Sequence, residues 1–119
     1  LSDMIERYDI IRHAELYHND IAIAAVEQDI DRVTAAKAAD ELLNIMGIDT
    51  SFVIAPEGDK VNLSARSIGD TNVQVILEKL GGGGHRTIAG AQMQGVTIEE
   101  AKERLKAVIR QMMDEGDVS

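Results

Sequence analysis

The 119-residue sequence predicts a single α/β (α+β) domain in which helices flank a mixed sheet of four to five strands. Short runs of Ile, Val and Ala alternate along the chain with longer segments whose apolar residues recur at helical spacing. A Pro-Glu-Gly-Asp turn at 56–59 separates two of these runs and predicts a hairpin, so at least one strand pair is antiparallel. The predicted element order is α-β-α-β-β-α-β-α.

The first two elements are predicted to be a helix and a buried strand. Residues 3–17 are predicted as a helix because Met4, Tyr8 and Ile11 share one face at helical spacing. Residues 21–26 then form an unbroken run of Ile, Ala and Val, which is typical of a strand covered on both faces.

The second helix is predicted over 31–46, where Gly47 supplies a stop signal. Its small alanines indicate close packing against a sheet. The predicted inner side consists of Val33, Ala36, Ala39, Leu43 and Met46.

The rest of the chain predicts three strands and two helices. The strands are predicted at 51–55, 61–67 and 87–94. The third helix is predicted over 71–80, with Asp70 or Thr71 as its cap. The residues predicted to face inward from it are Val73, Ile76, Leu77 and Leu80.

The last helix is predicted to follow a Thr-x-x-Glu capping box formed by Thr97 and Glu100. It is predicted to bury a stripe made of Ala101, Leu105, Val108 and Met112. The acidic helical residues are predicted to form solvated faces; these are Asp40, Glu41, Glu99, Glu100 and Glu103.

Composition limits the classes of function. The absence of cysteine excludes disulfides and cysteine-ligated metals. A formal net charge of −9 argues against attraction to duplex DNA or to an anionic membrane, but is compatible with a small phosphorylated ligand held by local donors. The chain starts at Leu1 rather than Met, and we interpret it as part of a longer protein.

The most informative stretch is Gly81-Gly82-Gly83-Gly84-His85, which is predicted to connect a helix to a strand. The functional interpretation is a nest of backbone N–H groups around an anion, with His85 as a further donor. The structural interpretation is a helix C-cap followed by a flexible link. A Walker A loop is excluded because no Gly-Lys-Ser/Thr ends the run, and a dinucleotide fingerprint is excluded because that motif runs from strand to helix.

The strand before this loop supplies a second set of candidates. Alternation places Asn62, Ser64 and Arg66 on one face of the strand at 61–67. A solvated face is one interpretation; a phosphate site is the other, because the planar guanidinium of Arg66 suits a phosphate. The small residues of Ala89-Gly90-Ala91 indicate close approach either by a ligand or by a packed helix.

Ser64-Ala65-Arg66-Ser67, the Gly81–His85 loop and Ala89-Gly90-Ala91 together resemble the DHHA1 domain, the C-terminal domain of the DHH phosphoesterases, over roughly 20–113. The stretch at 95–101 is further similar to cyclic-di-AMP phosphodiesterases of the GdpP type. The resemblance implies that this chain holds the substrate, while an upstream DHH domain carries two Mn²⁺ ions that activate water.

By motif match, the resemblance assigns Arg66 to a substrate phosphate and makes Gly82, Gly83, Gly84 and His85 the nucleotide-binding loop. It adds Ser64 and Ser67 as substrate contacts. No catalytic residue, metal ligand or bound cofactor is expected in this chain, so we expect it to be inactive alone. Ile88 departs from the small or amide residue that is usual there, which changes how a base or sugar is held.

The resemblance also implies an organisation and partners. Residues 1–19 would be a linker helix from the DHH domain, 20–113 the DHHA1 domain and 114–119 an acidic tail. The expected partners are a cyclic dinucleotide or short oligonucleotide, the DHH domain and a second copy in a homodimer, but no duplex DNA. The expected location is cytoplasmic, with a parent anchored in the cell membrane.

Three alternatives remain open on the sequence. One is a nanoRNase or phosphoadenosine-phosphate phosphatase domain, which shares the loop. Another is a non-catalytic nucleic-acid-binding module similar to the appended domain of alanyl-tRNA synthetases, although −9 is an unfavourable charge for it. The last is a small-molecule regulatory domain of ferredoxin-like character.

Overall fold

The computed structural model describes residues 2–115 and contains one more strand before the second helix and one more before the last than the sequence predicts. The helices are α1 (Ser2–Arg12), α2 (Arg32–Leu42), α3 (Val73–Glu78) and α4 (Ile98–Asp114). The strands are β1 (Ala14–Tyr17), β2 (Ile21–Ala25), β3 (Thr50–Glu57), β4 (Lys60–Ser67), β5 (Gly83–Gly84) and β6 (Ile88–Gln94).

All six strands form a single sheet in the order β1-β2-β3-β4-β6-β5. β2 and β3 are parallel and are joined through α2, whereas the other neighbours are antiparallel. The predicted mixed sheet and α+β class are confirmed. The predicted four to five strands become six because β1 and β5 are added.

Alternation along β3 divides the core between the two faces of the sheet. Phe52 and Ile54 point to the side covered by α3 and α4, and Val53 points to the side covered by α1 and α2. Ala35 and Ala39 of α2 are fully buried, and their small side chains let this helix lie close to the sheet. α2 packs over β3 and along β4, and it therefore forms one wall of a groove above the outer strands.

The predicted helix over 3–17 is wrong in its second half. α1 ends at Arg12, and residues 14–17 pair with β2 as the edge strand β1. Helical spacing also misassigned the buried face, because Met4 is 60% exposed and Tyr8 is 67% exposed, while Ile10 is fully buried. Residues 14–17 form a strand because they pair with β2, which lies further along the chain. The periodicity of apolar residues within one segment does not predict such pairing.

The predicted second helix is too long and partly inverted. α2 ends at Leu42, where bonds from Leu43 to Asp40 and from Asn44 to Glu41 tighten the last turn. Val33 is 64% exposed and Met46 is 98% exposed, so neither belongs to the inner side. The buried residues are Thr34, Ala35, Ala38, Ala39 and Leu42.

Helix caps explain where the other helices begin. The capping box of Thr97 and Glu100 is present and starts α4 as predicted. α3 is capped by the side chain of Asn72, not by Asp70 or Thr71. In α4, Ile109 is fully buried where the predicted stripe placed Val108, which is only partly buried.

The hairpin turn is shorter than predicted, because β3 continues to Glu57 and β4 begins at Lys60. Of the predicted acidic tail, Asp114 lies in α4, and 116–119 lie outside the described residues. Within residues 2–115, none of the helices combines the length and the apolar character that crossing a bilayer requires.

Candidate functional site

A groove of about 370 Å³ opens between α2, the floor formed by β4 and β6, and the glycine loop. It brings together five of the seven predicted site residues: Ser64, Arg66, Gly83, Gly84 and His85. A neighbouring cavity of about 420 Å³ shares Arg32, Asn62 and Gly90 with the groove and is also lined by Gly82. The two spaces form one continuous depression along the sheet.

The groove floor is the face of β4 that alternation predicted. Asn62 and Ser64 are buried, at 3% and 6% exposure, so this face is not a solvated one. Across the sheet, Ser64 pairs with Gly90 and Arg66 pairs with Ile88. Ser67, the last residue of β4, instead accepts a hydrogen bond from the Gly69 amide at 3.0 Å, which stabilises the turn after the strand.

Arg66 lies at the end of this floor in a fixed orientation. Its Nε donates to Asp40 Oδ1 at 2.9 Å, and its Nη1 donates to the Ala65 carbonyl at 2.8 Å. The side chain is 13% exposed, and Asp40 on α2 balances its charge. Among the described residues, the hydrogen bonds of this guanidinium involve only Nε and one N–H of Nη1.

Three of the four loop glycines are required by the fold. Gly81 lies in the turn that follows α3 and has φ at +89°, a conformation that favours glycine. A Cβ on Gly82 would lie 2.1 Å from the Gly90 carbonyl oxygen, and one on Gly84 would lie 2.4 Å from the Ile88 carbonyl oxygen. The loop therefore lies against β6 as the short strand β5.

Gly83 is different from its neighbours. An added Cβ there would meet no atom within 4 Å, and its φ is outside the left-handed region. It pairs with Gly90 and lines the groove. The fold does not explain its missing side chain, whereas close approach by a ligand would.

The amides of the loop are mostly used inside the protein. Gly81 donates to Glu78, Gly82 donates to the Leu77 carbonyl at 2.8 Å, and His85 donates to the Ile88 carbonyl at 2.6 Å. These three N–H groups do not form the predicted nest. What the loop offers a ligand is the open space at Gly83 and the exposed ring of His85.

Several lining residues were missed from the sequence. Arg32, the first residue of α2, and the exposed side chain of Val33 form the wall opposite the floor. Asp40 is solvated as predicted, and it also pairs with Arg66, which the sequence did not predict. In the sequence, the one local feature of Arg32 is its place directly after the capping residue Asp31, which predicts the start of a helix. Its place in the groove depends on the course of α2 over β4. Within residues 2–115, His, Asp and Glu form no group of three that could hold a metal ion.

The chain is similar to known proteins over most of its length. The DHHA1 domain model matches residues 18–115. The chain is 43% identical over 119 residues to the cyclic-di-AMP phosphodiesterase GdpP of Geobacillus thermodenitrificans, covering 98% of this chain and 18% of that protein. It is 44% identical over 112 residues to the cyclic-di-AMP phosphodiesterase PdeA of Listeria monocytogenes, covering 92% of this chain and 17% of that protein.

A solved structure shares the fold. An exopolyphosphatase-related protein from Bacteroides fragilis superposes with a TM-score of 0.82, covering 93% of this chain and 35% of that chain at 17% identity. The chain itself spans less than a fifth of the length of the two curated relatives, at 18% and 17%.

Proposed function

Because the chain belongs to the DHHA1 domain family, we propose that its groove binds the phosphate and the adjoining nucleoside of a phosphodiesterase substrate. The observation that carries this proposal is the convergence of Arg66, His85 and the open space at Gly83 on one groove. In this proposal the free edge of the Arg66 guanidinium binds a phosphate oxygen, and His85 supplies a second donor.

The substrate proposed is cyclic-di-AMP or a short adenine dinucleotide. Two relatives that are 43% and 44% identical are named cyclic-di-AMP phosphodiesterases, and this chain matches them over 98% and 92% of its length. The groove also has apolar walls at Val33 and Ile88, which are 64% and 51% exposed. Such exposed apolar surface beside a guanidinium suits a ligand with a flat base next to a phosphate.

The chemistry of bond cleavage is proposed to belong to a DHH domain of the same parent chain, with two Mn²⁺ ions that supply an activated water. The residues of this chain hold and orient the substrate. We also propose that α1 braces that domain, since Met4, Ile5 and Tyr8 leave a strip of apolar surface exposed on it. The parent is proposed to face the cytoplasm from a membrane anchor.

Calorimetric titration tests the proposed site. We expect the chain to bind linear diadenylate and cyclic-di-AMP weakly, with a Kd on the order of 1 mM, because half of a site gives about −4 kcal/mol. Arg66→Ala and His85→Ala should each weaken binding at least about fivefold, because each removes a donor worth roughly 1 kcal/mol or more.

Arg104→Ala is the matched control, because Arg104 is an exposed arginine on α4, which packs on the opposite face of the sheet. It should bind both ligands with unchanged affinity. Equal binding by all three variants would contradict the proposed site.

A further inference from the structure

The polar side chains of the groove floor differ between its two ends. Its phosphate end carries Arg66, and its far end carries two carboxamides, because Asn62 pairs directly with Gln92 across β4 and β6. Four residues of extended strand separate Asn62 from Arg66, which places their Cα atoms about 13 Å apart. Between them lie Ser64, with a small side chain, and Gly90, with none, and the floor is therefore open there.

Asn62 is buried but is not saturated by the protein. Within residues 2–115 its side chain makes one hydrogen bond, from Nδ2 to Ser64 Oγ at 3.4 Å. A carboxamide has two N–H donors and an oxygen that can accept twice. Every fully buried side-chain nitrogen or oxygen of the described residues has a partner. The unused groups of Asn62 therefore face the two cavities that this residue lines.

Arg32, above the carboxamides, is already engaged. Its Nε donates to Glu57 Oε1 at 3.3 Å. When the Gln92 amide is oriented with its oxygen towards Arg32, that oxygen accepts from Nε at 3.2 Å and from Nη2 at 2.8 Å. This orientation gives both side chains complementary partners. Gln92 and Glu57 thus hold one edge of the exposed guanidinium, and Asn62 is the buried polar residue with free capacity at this end.

We propose that Asn62 determines base specificity by reading the edge of an adenine base while the phosphate of the same nucleotide lies at Arg66. This inference rests on the proposed function and adds the residue that selects the base. Asn62 offers an acceptor beside a donor, and the adenine edge that carries N6 and N7 offers the matching amino donor beside a ring-nitrogen acceptor. Guanine presents two acceptors, N7 and O6, at the same edge, so the Asn62 oxygen would face an acceptor there.

The test is a comparison of linear diadenylate with linear diguanylate by calorimetry on the protein and on Asn62→Leu. Leucine has a similar size but no polar group. We expect the unaltered protein to prefer diadenylate about tenfold, within the range of discrimination by one bidentate pair. N62L should bind both dinucleotides equally, and its affinity for inorganic phosphate should not change.

Two further variants test whether a lost preference for diadenylate is specific to the Asn62 side chain. Asn62→Ser keeps a small polar side chain at this position, so it controls for misfolding caused by leucine, and it should also lose the preference. Gln94→Leu removes an exposed carboxamide from the same strand face, two positions beyond Gln92, and should keep the preference.

A preference retained in both Asn62 variants would overturn the inference. Equal binding of the two dinucleotides by the unaltered protein, still lost in Arg66→Ala, would overturn it as well and leave the proposed function intact. Absence of binding to either dinucleotide would remove the proposed function together with the inference.

Discussion

Asp49 lies just before β3, where its Oδ1 accepts a hydrogen bond from Thr50 Oγ1 at 2.9 Å. Burial is the main cause that raises the pKa of Asp49, and the negative charges of Asp20 and Asp70 raise it further, against the Thr50 bond. A raised pKa means that the folded state holds its proton more tightly than the unfolded state. Ionisation of Asp49 therefore destabilises the fold as pH rises above the pKa of an unfolded aspartate.

Asp49→Asn should stabilise the protein at neutral pH, because the amide keeps the acceptor for Thr50 and removes the charge. We expect the thermal midpoint to rise by a few degrees at pH 7, the scale on which about 1 kcal/mol acts in a domain of this size. Below the pKa of an unfolded aspartate, near 3.9, the difference should vanish. Thermal unfolding at both pH values measures it, and Asp59→Asn in the exposed turn is the control. A destabilised D49N at pH 7 would contradict the argument.

For single residues, the sequence indicated candidate site residues but not the residues that pair with them. Arg66 and His85 were found because a planar cation at a strand end and a histidine after four glycines are unusual locally. Asp40 is exposed as predicted, at 64% of its side chain, and the sequence did not predict that it pairs with Arg66, 26 positions further along the chain. Such a partner is defined by how α2 crosses β4, which no local pattern encodes.

The connection between α3 and β6 shows how an element can differ from its local sequence pattern. It looks in sequence like a flexible glycine link, but Gly83 and Gly84 are paired with β6 as strand β5. The structural interpretation of the loop therefore fits some of its glycines, and the functional interpretation fits another. Gly82 and Gly84 serve close packing of backbones, and Gly83 leaves space in the groove.

Alanine substitutions should separate these roles. Gly82→Ala and Gly84→Ala should lower the free energy of unfolding by about 1–3 kcal/mol, the typical result of forcing extra atoms into a packed region. Gly83→Ala should leave the thermal midpoint nearly unchanged but weaken dinucleotide binding severalfold, because its methyl group enters the groove. Denaturant unfolding and calorimetry measure the two effects. A strongly destabilised G83A, or one with full affinity, would refute the division.

The elements that the sequence predicted well are those whose signal is complete within the segment. The strands of the hairpin and the capping box of α4 belong to this group. β1 was absorbed into a predicted helix because its four residues, Ala-Glu-Leu-Tyr, carry no strand signal of their own. β5 was missed because two glycines have no side-chain pattern at all, and only the approach of β6 makes them a strand.

At the scale of the molecule, the charge of −9 surrounds a groove that contains two arginines, Arg32 and Arg66. Each is paired with a carboxylate, Glu57 or Asp40. The site therefore presents directed donors rather than a broad positive potential. This arrangement suits a small ligand with one or two phosphates and does not suit a long polyanion, which needs a stripe of cations.

Salt dependence should report this difference. Binding of linear diadenylate should weaken with a slope of log K against log salt no steeper than about −1.5, since about two phosphates are neutralised at about −0.7 each. A non-catalytic nucleic-acid-binding module that contacts six phosphates would instead give about −4 with a long single strand. Titrations of both ligands between low and moderate salt measure the slopes. Tight, steeply salt-dependent binding of the long strand would favour the module.

The pairing of the glycine loop with β6 has a consequence for the kinetics of ligand entry. The conformational entropy of four adjacent glycines is lost when the chain folds, because Gly82 and His85 already donate to backbone carbonyls without a ligand. A loop that closes on its ligand would slow association by a conformational step. On the proposed function, a ligand would enter an open depression with its walls already in place, so we expect encounter and desolvation to set the rate of association and the residence time to set the affinity.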